Sequence, residues 1–240
     1  MIKLIYKNKK HMNLLVKFPT RSRSVKFDLQ LKKYIDYQKT QNVIYLVTLD
    51  TDDPQLDNYI RICNKYENVI YTTGYSSGKI NAVNRDLYRY NHLEWDILVL
   101  ASDDMTLVKK GWDSIIINKM EETFPDTDGV LWFSDGFTDL NTMCILGRTY
   151  YERFNYIYHP SYVSLWCDNE FQEVSQMLDR TNFISYECIF RHDHFSNNNK
   201  IPMDTLMRKN EKYYNLDKIN YEKRKSNNFD LKNIDGIWTT

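Results

Sequence analysis

Two adjacent acids, Asp103 and Asp104, follow a short apolar run at residues 97–101. Such a run is typical of a strand that is buried on both faces of a sheet. Carboxylates at the end of a buried strand are costly to desolvate unless a cation or hydrogen-bond donors meet them. Since open α/β sheets bind ligands at the carboxyl ends of their strands, the two acids predict a ligand site with a divalent cation. The alternative is that they cap the segment that follows.

Two later segments carry further residues that could do chemistry. Asp168 and Glu170 open a helix predicted to run to Leu178, and both are candidates for a general base. Asp168 could instead only cap this helix, and Glu170 could be a first-turn acid favoured by the helix dipole. His192 and His194 are two residues apart, so on an extended segment they face the same side and could bind a metal ion together. A surface pair, or a hydrogen bond to a diphosphate, is the alternative for the histidines.

An alternation of strands and helices is expected to position these residues. Strands are predicted at 14–18, 43–49, 69–72 and 97–101, and helices at 25–39, 56–66 and 79–90. This order is typical of an α/β fold with a Rossmann-like, doubly wound, mostly parallel central sheet and flanking helices. Right-handed crossovers then bring the strand ends to one edge of the sheet. The residues expected at that edge are all polar or glycine: Thr20, Arg21, Asp50, Gly74, Ser102, Asp103 and Asp104.

The second half of the chain has a less regular pattern. It predicts a helix at 110–120, strands at 130–133 and 143–146, a helix at 166–178 and a strand at 183–190. From Asn197 onward the sequence is rich in lysine and asparagine, with sparse apolar residues. We therefore expect one domain over residues 1–199 and a short C-terminal extension over 200–240, partly helical with a flexible end.

The composition is that of a soluble globular protein. The 240 residues are 42% hydrophobic and 27% charged, and the 32 basic residues balance the 32 acidic ones. Zero net charge gives no global field that favours nucleic acid or an anionic membrane. The N-terminus lacks the apolar core of a signal peptide, and no apolar stretch approaches the roughly 20 residues of a membrane span.

Four widely spaced cysteines without a Cys-x-x-Cys pair indicate a reduced, cytosolic chain. We therefore expect a cytoplasmic location. Tyrosine, asparagine, lysine and isoleucine are frequent, which is the pattern of an AT-rich coding genome such as that of a virus or a low-GC bacterium. For a viral chain the location would be the host cytoplasm.

Four segments, in this order along the chain, resemble the GT-A glycosyltransferases, particularly inverting enzymes of the family 2 type. The first, at residues 78–84, resembles the G-K-x-x-A-x-N segment before the central strand, and the second is the aspartate-containing end of that strand. Residues 168–171 resemble the acidic segment that carries the base, and residues 192–194 resemble the H-x-H element after a late strand. The ordered set, which covers residues 13 to 200, is more specific than any one motif.

The resemblance implies a GT-A fold and a reaction. A sugar would pass from a nucleoside-diphosphate sugar to a hydroxyl acceptor with inversion, as in hexosyltransferases, with a UDP-sugar favoured as donor. Mn²⁺ or Mg²⁺ would assist by bridging oxygens of the leaving diphosphate, and an imidazole ligand would favour Mn²⁺. A glycan or another hydroxyl compound is the expected acceptor. No nucleic-acid partner is expected, although a modified nucleic acid stays open as an acceptor.

The resemblance also implies roles for individual residues. The expected metal ligands are Asp103, Asp104, His192 and His194. Asp168 is preferred over Glu170 as the catalytic base. The donor would contact residues near the strand ends and the 78–84 segment, which are Thr20, Arg21, Asp50, Lys79, Asn81, Asn84, Ser102 and Asp103. One position departs from the family's Asp-x-Asp metal motif, since Ala101 stands where the first aspartate is expected.

Two other functions fit the same strand order. A sugar-phosphate nucleotidyltransferase has a related sheet with a metal-binding acid, but it usually begins with a glycine-rich phosphate loop after the first strand. Here residues 18–23 contain no glycine, which counts against that function. A catalytically inactive protein that binds nucleotides or sugars is the second alternative, and Ala101 favours it.

Overall fold

The structure, a computed structural model, describes residues 12–193 and 203–240. Its first half alternates strands and helices as the sequence predicts. The elements are β1 (Leu14–Thr20), α1 (Ser24–Tyr37), β2 (Val43–Asp50), α2 (Leu56–Cys63), β3 (Val69–Gly74), α3 (Lys79–Asn84) and β4 (Ile97–Leu100). A 3-10 turn, Leu87–Tyr90, lies between α3 and β4.

The second half adds the remaining strands of the sheet and a C-terminal helical segment. Its elements up to residue 193 are β5 (Met105–Leu107), α4 (Trp112–Thr123), β6 (Val130–Phe133), β7 (Ile145–Gly147), α5 (Arg148–Phe154), α6 (Cys167–Met177), β8 (Thr181–Ile184) and β9 (Phe190–His192). After residue 203 follow α7 (Thr205–Glu211), α8 (Tyr214–Ser226), a 3-10 turn (Asn228–Asp230), β10 (Lys232–Ile234) and β11 (Ile237–Thr239). None of the described helices has the length and apolar character that a membrane-spanning helix needs.

One mixed sheet of seven strands organises the molecule, in the order β3-β2-β1-β4-β7-β6-β8. All neighbouring pairs are parallel except those that β7 makes with β4 and β6. The predicted α/β class and the mostly parallel sheet are confirmed. Because β1, β2, β3, β4, β6 and β8 run in one direction, their carboxyl ends share one edge.

Both faces of the sheet are buried. One face packs the aromatic and aliphatic residues of α1, α2 and α4, where Phe27, Tyr34 and Trp112 are fully buried. The other packs α3, α5 and α6. This two-sided burial explains the near-continuous apolar sequence of β2 and β4. Lys17 of β1 is an exception, a lysine with no exposed surface in the middle of the sheet.

Two predicted elements are wrong in detail. The predicted helix at 79–90 is interrupted, because Asp86 adopts a left-handed backbone (φ 75°). Its buried carboxylate accepts a hydrogen bond from the Thr72 hydroxyl at 2.6 Å, which turns the chain towards β3. The predicted strand at 183–190 is two strands, β8 in the main sheet and β9, which pairs with β5.

The segment after residue 203 packs against the sheet domain. The Asp217 carboxylate of α8 accepts hydrogen bonds from the backbone N–H groups of Val163, Ser164 and Leu165 at 2.8–2.9 Å. Tyr221, also on α8, lies against the Trp166 ring with centroids 5.1 Å apart. The helices agree with the partly helical extension predicted over 200–240, and the domain boundary at 199 stays a prediction.

Candidate active site

The acids after β4 lie at the shared carboxyl edge, beside the end of β1. Asp103 is only 5% exposed and both of its carboxylate oxygens are engaged. The Thr20 hydroxyl donates to one at 3.0 Å, and the Arg23 guanidinium donates to the other at 2.6 Å. Asp104 accepts a hydrogen bond from the Ser102 hydroxyl and lies 3.6 Å from Arg23. The two acids therefore meet a cation and donors, as their burial requires.

The two carboxylates have opposite pKa shifts. Burial raises the pKa of Asp103 to about 6, which the Arg23 guanidinium opposes and Asp104 reinforces. Burial alone would raise the pKa of Asp104, but the charges of His192 and Lys79, the Ser102 hydrogen bond and Arg23 together hold it below its usual range. The pKa of Asp104 is therefore the lower of the two.

Pairing of β5 with β9 brings His192 to the acid corner. Met105 faces His192 in this antiparallel pair, and the Asp193 N–H donates to the Asp104 carbonyl oxygen at 2.9 Å. Burial lowers the pKa of His192, while the negative charge of Asp104 opposes that shift. His194 lies outside the described residues.

The end of β2 places a second group of charges next to the first. Asp50, only 6% exposed, accepts a hydrogen bond from Arg21 at 2.8 Å and another from the Ser76 hydroxyl. Arg21 also binds Asp52 through both Nη atoms, at 2.6 and 3.0 Å. Arg85 donates to the Leu49 carbonyl oxygen at 2.8 Å and lies 3.5 Å from Asp50, so it connects the segment after α3 to the end of β2.

The donor residues predicted around α3 have different surroundings. Lys79 is exposed at the first position of α3, and its charge acts on Asp104 and His192. Asn81 is exposed and accepts a hydrogen bond from the Ser77 N–H at 3.3 Å. Asn84 instead ties α3 to the following segment, because its amide bonds the backbone of Ile157 and Tyr158. A cavity of about 290 Å³ lies between Asn81, Asn84 and residues 160–163.

The two acids of α6 differ in what they contact. Glu170 is buried and receives three hydrogen bonds, two from Arg224 at 2.7 and 2.8 Å and one from the Tyr162 hydroxyl at 2.7 Å. Asp168 is partly exposed, and its charge acts on His192. The alternative that Asp168 caps α6 is wrong. The residue before the helix is Trp166, with φ 64°, and no side chain caps the helix start.

The described residues do not form a ready site for a divalent cation. They contain no group of three or more histidine, cysteine, aspartate or glutamate side chains placed to hold an ion. Asp103, the expected direct ligand, has Thr20 on one carboxylate oxygen and Arg23 on the other. As arranged, Asp103, Asp104 and His192 do not fit the ion, and the role predicted for His194 stays a prediction.

Comparison of the chain with solved structures identifies the fold to which its seven-stranded sheet belongs. The chain is similar to the mannosyltransferase PcManGT from Pyrobaculum calidifontis, solved with GDP-Man and Mn²⁺ (TM-score 0.56, 12% identity, 72% of this chain and 54% of that one). It is similar as well to residues 1–349 of S. aureus TarS in complex with UDP (TM-score 0.59, 15% identity, 75% and 60%). The chain has a GT-A fold.

This GT-A fold is shared with enzymes of the rival class. The 4-diphosphocytidyl-2C-methyl-D-erythritolsynthase from Anaerococcus prevotii matches with a TM-score of 0.53 and 10% identity, over 75% of this chain and 89% of that one. No family model matches the sequence, and no curated protein matches it either. The chain spans 54% and 60% of the PcManGT and TarS 1–349 chains, so substrates and partners have to be argued from its own residues.

Sequence reasoning missed two arginines that hold the site together. Arg23 lies in the turn after β1, two residues beyond Arg21, where basic residues at a strand end are a usable signal. Arg85 gives no such signal, because it stands in a predicted helix that the structure breaks at Asp86. Its role depends on the turn that brings its guanidinium back to β2.

Proposed function

We propose that this chain transfers a glycosyl group, of the hexosyl type, from a nucleoside-diphosphate sugar to a hydroxyl acceptor with inversion. The observation that carries the proposal is the convergence of Asp50, Asp103, Asp104, His192 and Lys79 at the carboxyl edge of a GT-A sheet, with Asp168 within electrostatic reach. Ligands of open α/β sheets bind at this edge.

The nucleotide would lie over the ends of β1 and β2. Each oxygen of a carboxylate accepts more than one hydrogen bond, so a uracil ring N–H would add to the bonds that Arg21 and Ser76 donate to Asp50, which supports a UDP-sugar. Thr20 and Arg21 lie beside Asp50 and Asp103 at these strand ends, and Lys79, exposed at the start of α3, would offset charge on the leaving diphosphate. A divalent cation is left out of this scheme, because Arg23 and Thr20 already engage both oxygens of Asp103.

Asp168 would act as the general base. Its carboxylate would take the proton of the acceptor hydroxyl while that oxygen attacks the anomeric carbon and the bond to the diphosphate oxygen breaks on the opposite face. Glu170 is the poorer candidate, because Arg224 and Tyr162 donate hydrogen bonds to both of its carboxylate oxygens and surround it. A base must reach substrate, and of the two acids only Asp168 is partly exposed.

The rival nucleotidyltransferase function is disfavoured by the turn after β1. Such enzymes hold phosphates on free backbone N–H groups of this turn. Here the N–H groups of Ser22, Arg23 and Ser24 donate to the side chains of Asp53, Tyr59 and Gln55. They are not free to bind a triphosphate.

A thermal-shift screen of nucleoside diphosphates and their sugars tests the proposed function, since a ligand that binds the native state raises its apparent stability. We expect a shift with a nucleoside diphosphate, largest for UDP, and a smaller one with the triphosphate. Hydrolysis or transfer of the stabilising donor sugar is the second readout. No shift with any nucleotide would overturn the proposal, and pyrophosphate release from a nucleoside triphosphate and a sugar phosphate would establish the rival.

A further inference from the structure

One guanidinium joins three carboxylates at the acid corner. Arg23 Nη1 donates to Asp103 at 2.6 Å and lies 3.6 Å from Asp104, while Nε and Nη2 form a two-point pair with Asp204 at 2.8 and 3.0 Å. The Asp103 end of this bridge is shielded, since the side chain of Arg23 is 9% exposed and that of Asp103 is 5% exposed, whereas Asp204 at the other end is 33% exposed. Paired guanidinium–carboxylate bonds of this kind are strong and directional.

The backbone that carries Arg23 is fixed independently of these charges. The Arg23 N–H donates to the Tyr59 hydroxyl at 2.6 Å. On either side, the Ser22 N–H donates to Asp53 at 2.6 Å and the Ser24 N–H to Gln55 at 2.9 Å. Asp204 is itself held in place as the residue that caps α7, through the Met207 N–H. Hydrogen bonds therefore fix Arg23 at two places, at its backbone N–H and, through Asp204, at its guanidinium.

A divalent ion at Asp103 would have to displace this arrangement. It would need a carboxylate oxygen that now accepts from Arg23 or Thr20, and it would stand beside a guanidinium of like charge. Each acid of this corner already faces a cation of the chain. Asp103, Asp104 and Asp204 are offset by Arg23, by Lys26 at 3.9 Å from Asp204, and by Lys79, whose charge acts on Asp104.

We infer that Arg23 is the resident cation of this corner, that it excludes a divalent ion from Asp103, and that it faces the donor diphosphate in the ion's place. The last clause rests on the proposed glycosyl transfer. A guanidinium has five N–H groups, and three of those of Arg23 bind Asp103 and Asp204. Within residues 12–193 and 203–240, the second N–H of each Nη atom has no hydrogen-bond acceptor, and these two groups would meet the phosphate oxygens. This assignment departs from the Mn²⁺ or Mg²⁺ expected from the resemblance.

The test is a Mn²⁺ titration of the full chain and three variants. The electron paramagnetic resonance signal of the free ion reports how much Mn²⁺ stays unbound. Arg23→Met removes the guanidinium and keeps the stem of the side chain. Lys26→Met is the matched control, because it removes an exposed cation near Asp204 that does not touch Asp103. Arg23→Met combined with Asp103→Asn removes the carboxylate that the ion would gain. We expect Arg23→Met to bind Mn²⁺ about tenfold or more tightly than the native chain, and the control and the double variant to show no such gain.

Nucleotide affinity is measured in parallel, with EDTA and with Mn²⁺. Binding of a nucleoside diphosphate that is equal in both conditions supports the inference. Binding that needs Mn²⁺, together with tight Mn²⁺ binding by the native chain, overturns it and leaves the proposed function intact. If no nucleotide binds in either condition, the proposed function fails, and the Mn²⁺ titration of the native chain still decides whether Arg23 keeps the ion out. Should Arg23→Met not fold, Arg23→Gln replaces it, since glutamine keeps a hydrogen-bond donor without the charge. Tighter Mn²⁺ binding by that variant supports the inference, and an affinity equal to that of the native chain overturns it.

Discussion

Asp168 and Glu170 are two residues apart on α6, and their contacts give them different roles. Glu170 is enclosed by Arg224 and Tyr162, whereas Asp168 is partly exposed near the acid corner. The sequence places both acids in the same short motif, and the preference for Asp168 as the base had no contact to support it. The choice depends on a guanidinium that arrives from 54 residues further along the chain.

Asp168→Asn should lower the rate of glycosyl transfer by about a hundredfold or more, since removal of a positioned general base typically costs that much. The melting temperature should stay within error of the native value, because among the described residues the carboxylate accepts just one hydrogen bond, from the neighbouring Asn169 N–H. Steady-state kinetics with the donor found by the thermal-shift screen measures the effect. Full activity in this variant would remove Asp168 from the mechanism.

The buried Lys17 should make the stability of the fold depend on pH. Burial lowers its pKa to about 7 in the folded chain, against the opposing charge of Asp86, while in the unfolded chain it returns to 10.5. Between these values the unfolded state binds one more proton, so the free energy of unfolding should rise with pH from about 7 to about 10 by at most about 1.4 kcal/mol per unit. Below pH 7 both states are protonated and the term is constant.

Urea denaturation at pH 7, 8 and 9 checks this slope. Lys17→Met should flatten it, because the methionine has no proton to bind. Lys39→Met, at an exposed position after α1, should leave it unchanged. A slope that survives Lys17→Met would assign the effect to other groups.

At the scale of elements, hydrophobic pattern and strand order were sufficient for most of the sheet. The runs at 43–49, 97–101 and 130–133 became β2, β4 and β6, because burial on both faces leaves an unbroken apolar sequence. The end of the 79–90 helix was missed, since it depends on the hydrogen bond between Asp86 and Thr72 of β3. The split of 183–190 was missed for a similar reason. Residues 190–192 pair with β5, which lies more than 80 residues earlier.

The residues of the candidate site also fall into two groups, those that the sequence predicts and those that it does not. Thr20, Asp50 and Asp103 could be found because strand ends of a parallel sheet meet at one edge. The arginines that lie against the two aspartates, Arg23 beside Asp103 and Arg85 beside Asp50, come from positions in the sequence that no local pattern connects to them. Asn84 belongs to the predicted donor motif, yet its amide is used within the fold.

The contact between α6 and α8 predicts a stability effect. Glu170→Gln should lower the free energy of unfolding by about 1.5–3 kcal/mol, because the Arg224 guanidinium keeps its ion pair with Asp230 but loses buried hydrogen bonds to a charged partner. Glu173→Gln is the matched control on the same helix, where the partner Lys225 is 54% exposed and about 0–1 kcal/mol is expected. Chemical denaturation of the two variants side by side gives both numbers. Equal costs would mean that the Glu170–Arg224 pair contributes no more than a surface pair.

At the scale of the whole molecule, the segment after residue 203 stabilises the sheet domain through its contacts with it. It supplies Arg224 to Glu170, Asp217 to three backbone N–H groups and Asp204 to Arg23. These contacts reach α6, the loop before it and the acid corner. The boundary predicted at residue 199 from composition therefore separates charges that are paired in the fold.

A chain that ends at residue 199 should consequently be far less stable than the full chain. Loss of the Glu170 pair alone costs about 3–5 kcal/mol, and the apolar contacts of Tyr221 and Phe229 add to it. Since domains of this size are stable by only about 5–15 kcal/mol, such a truncation should leave little or no cooperative unfolding transition. Thermal denaturation followed by near-ultraviolet circular dichroism measures it.

The matched control for this truncation is a chain that ends at residue 231. It keeps α7, α8 and the buried Phe229 and Leu231, and it removes β10 and β11, whose hairpin is largely exposed. We expect its melting temperature to stay within a few degrees of the native value, about the shift that a loss of 1 kcal/mol produces in a chain of this length. If the chain that ends at residue 199 unfolds at the native temperature, residues 1–199 are an independent domain and the pairing of Glu170 with Arg224 contributes nothing to its stability. If only that chain loses its transition, the residues between 203 and 231 complete the fold that positions Asp168 and Arg23.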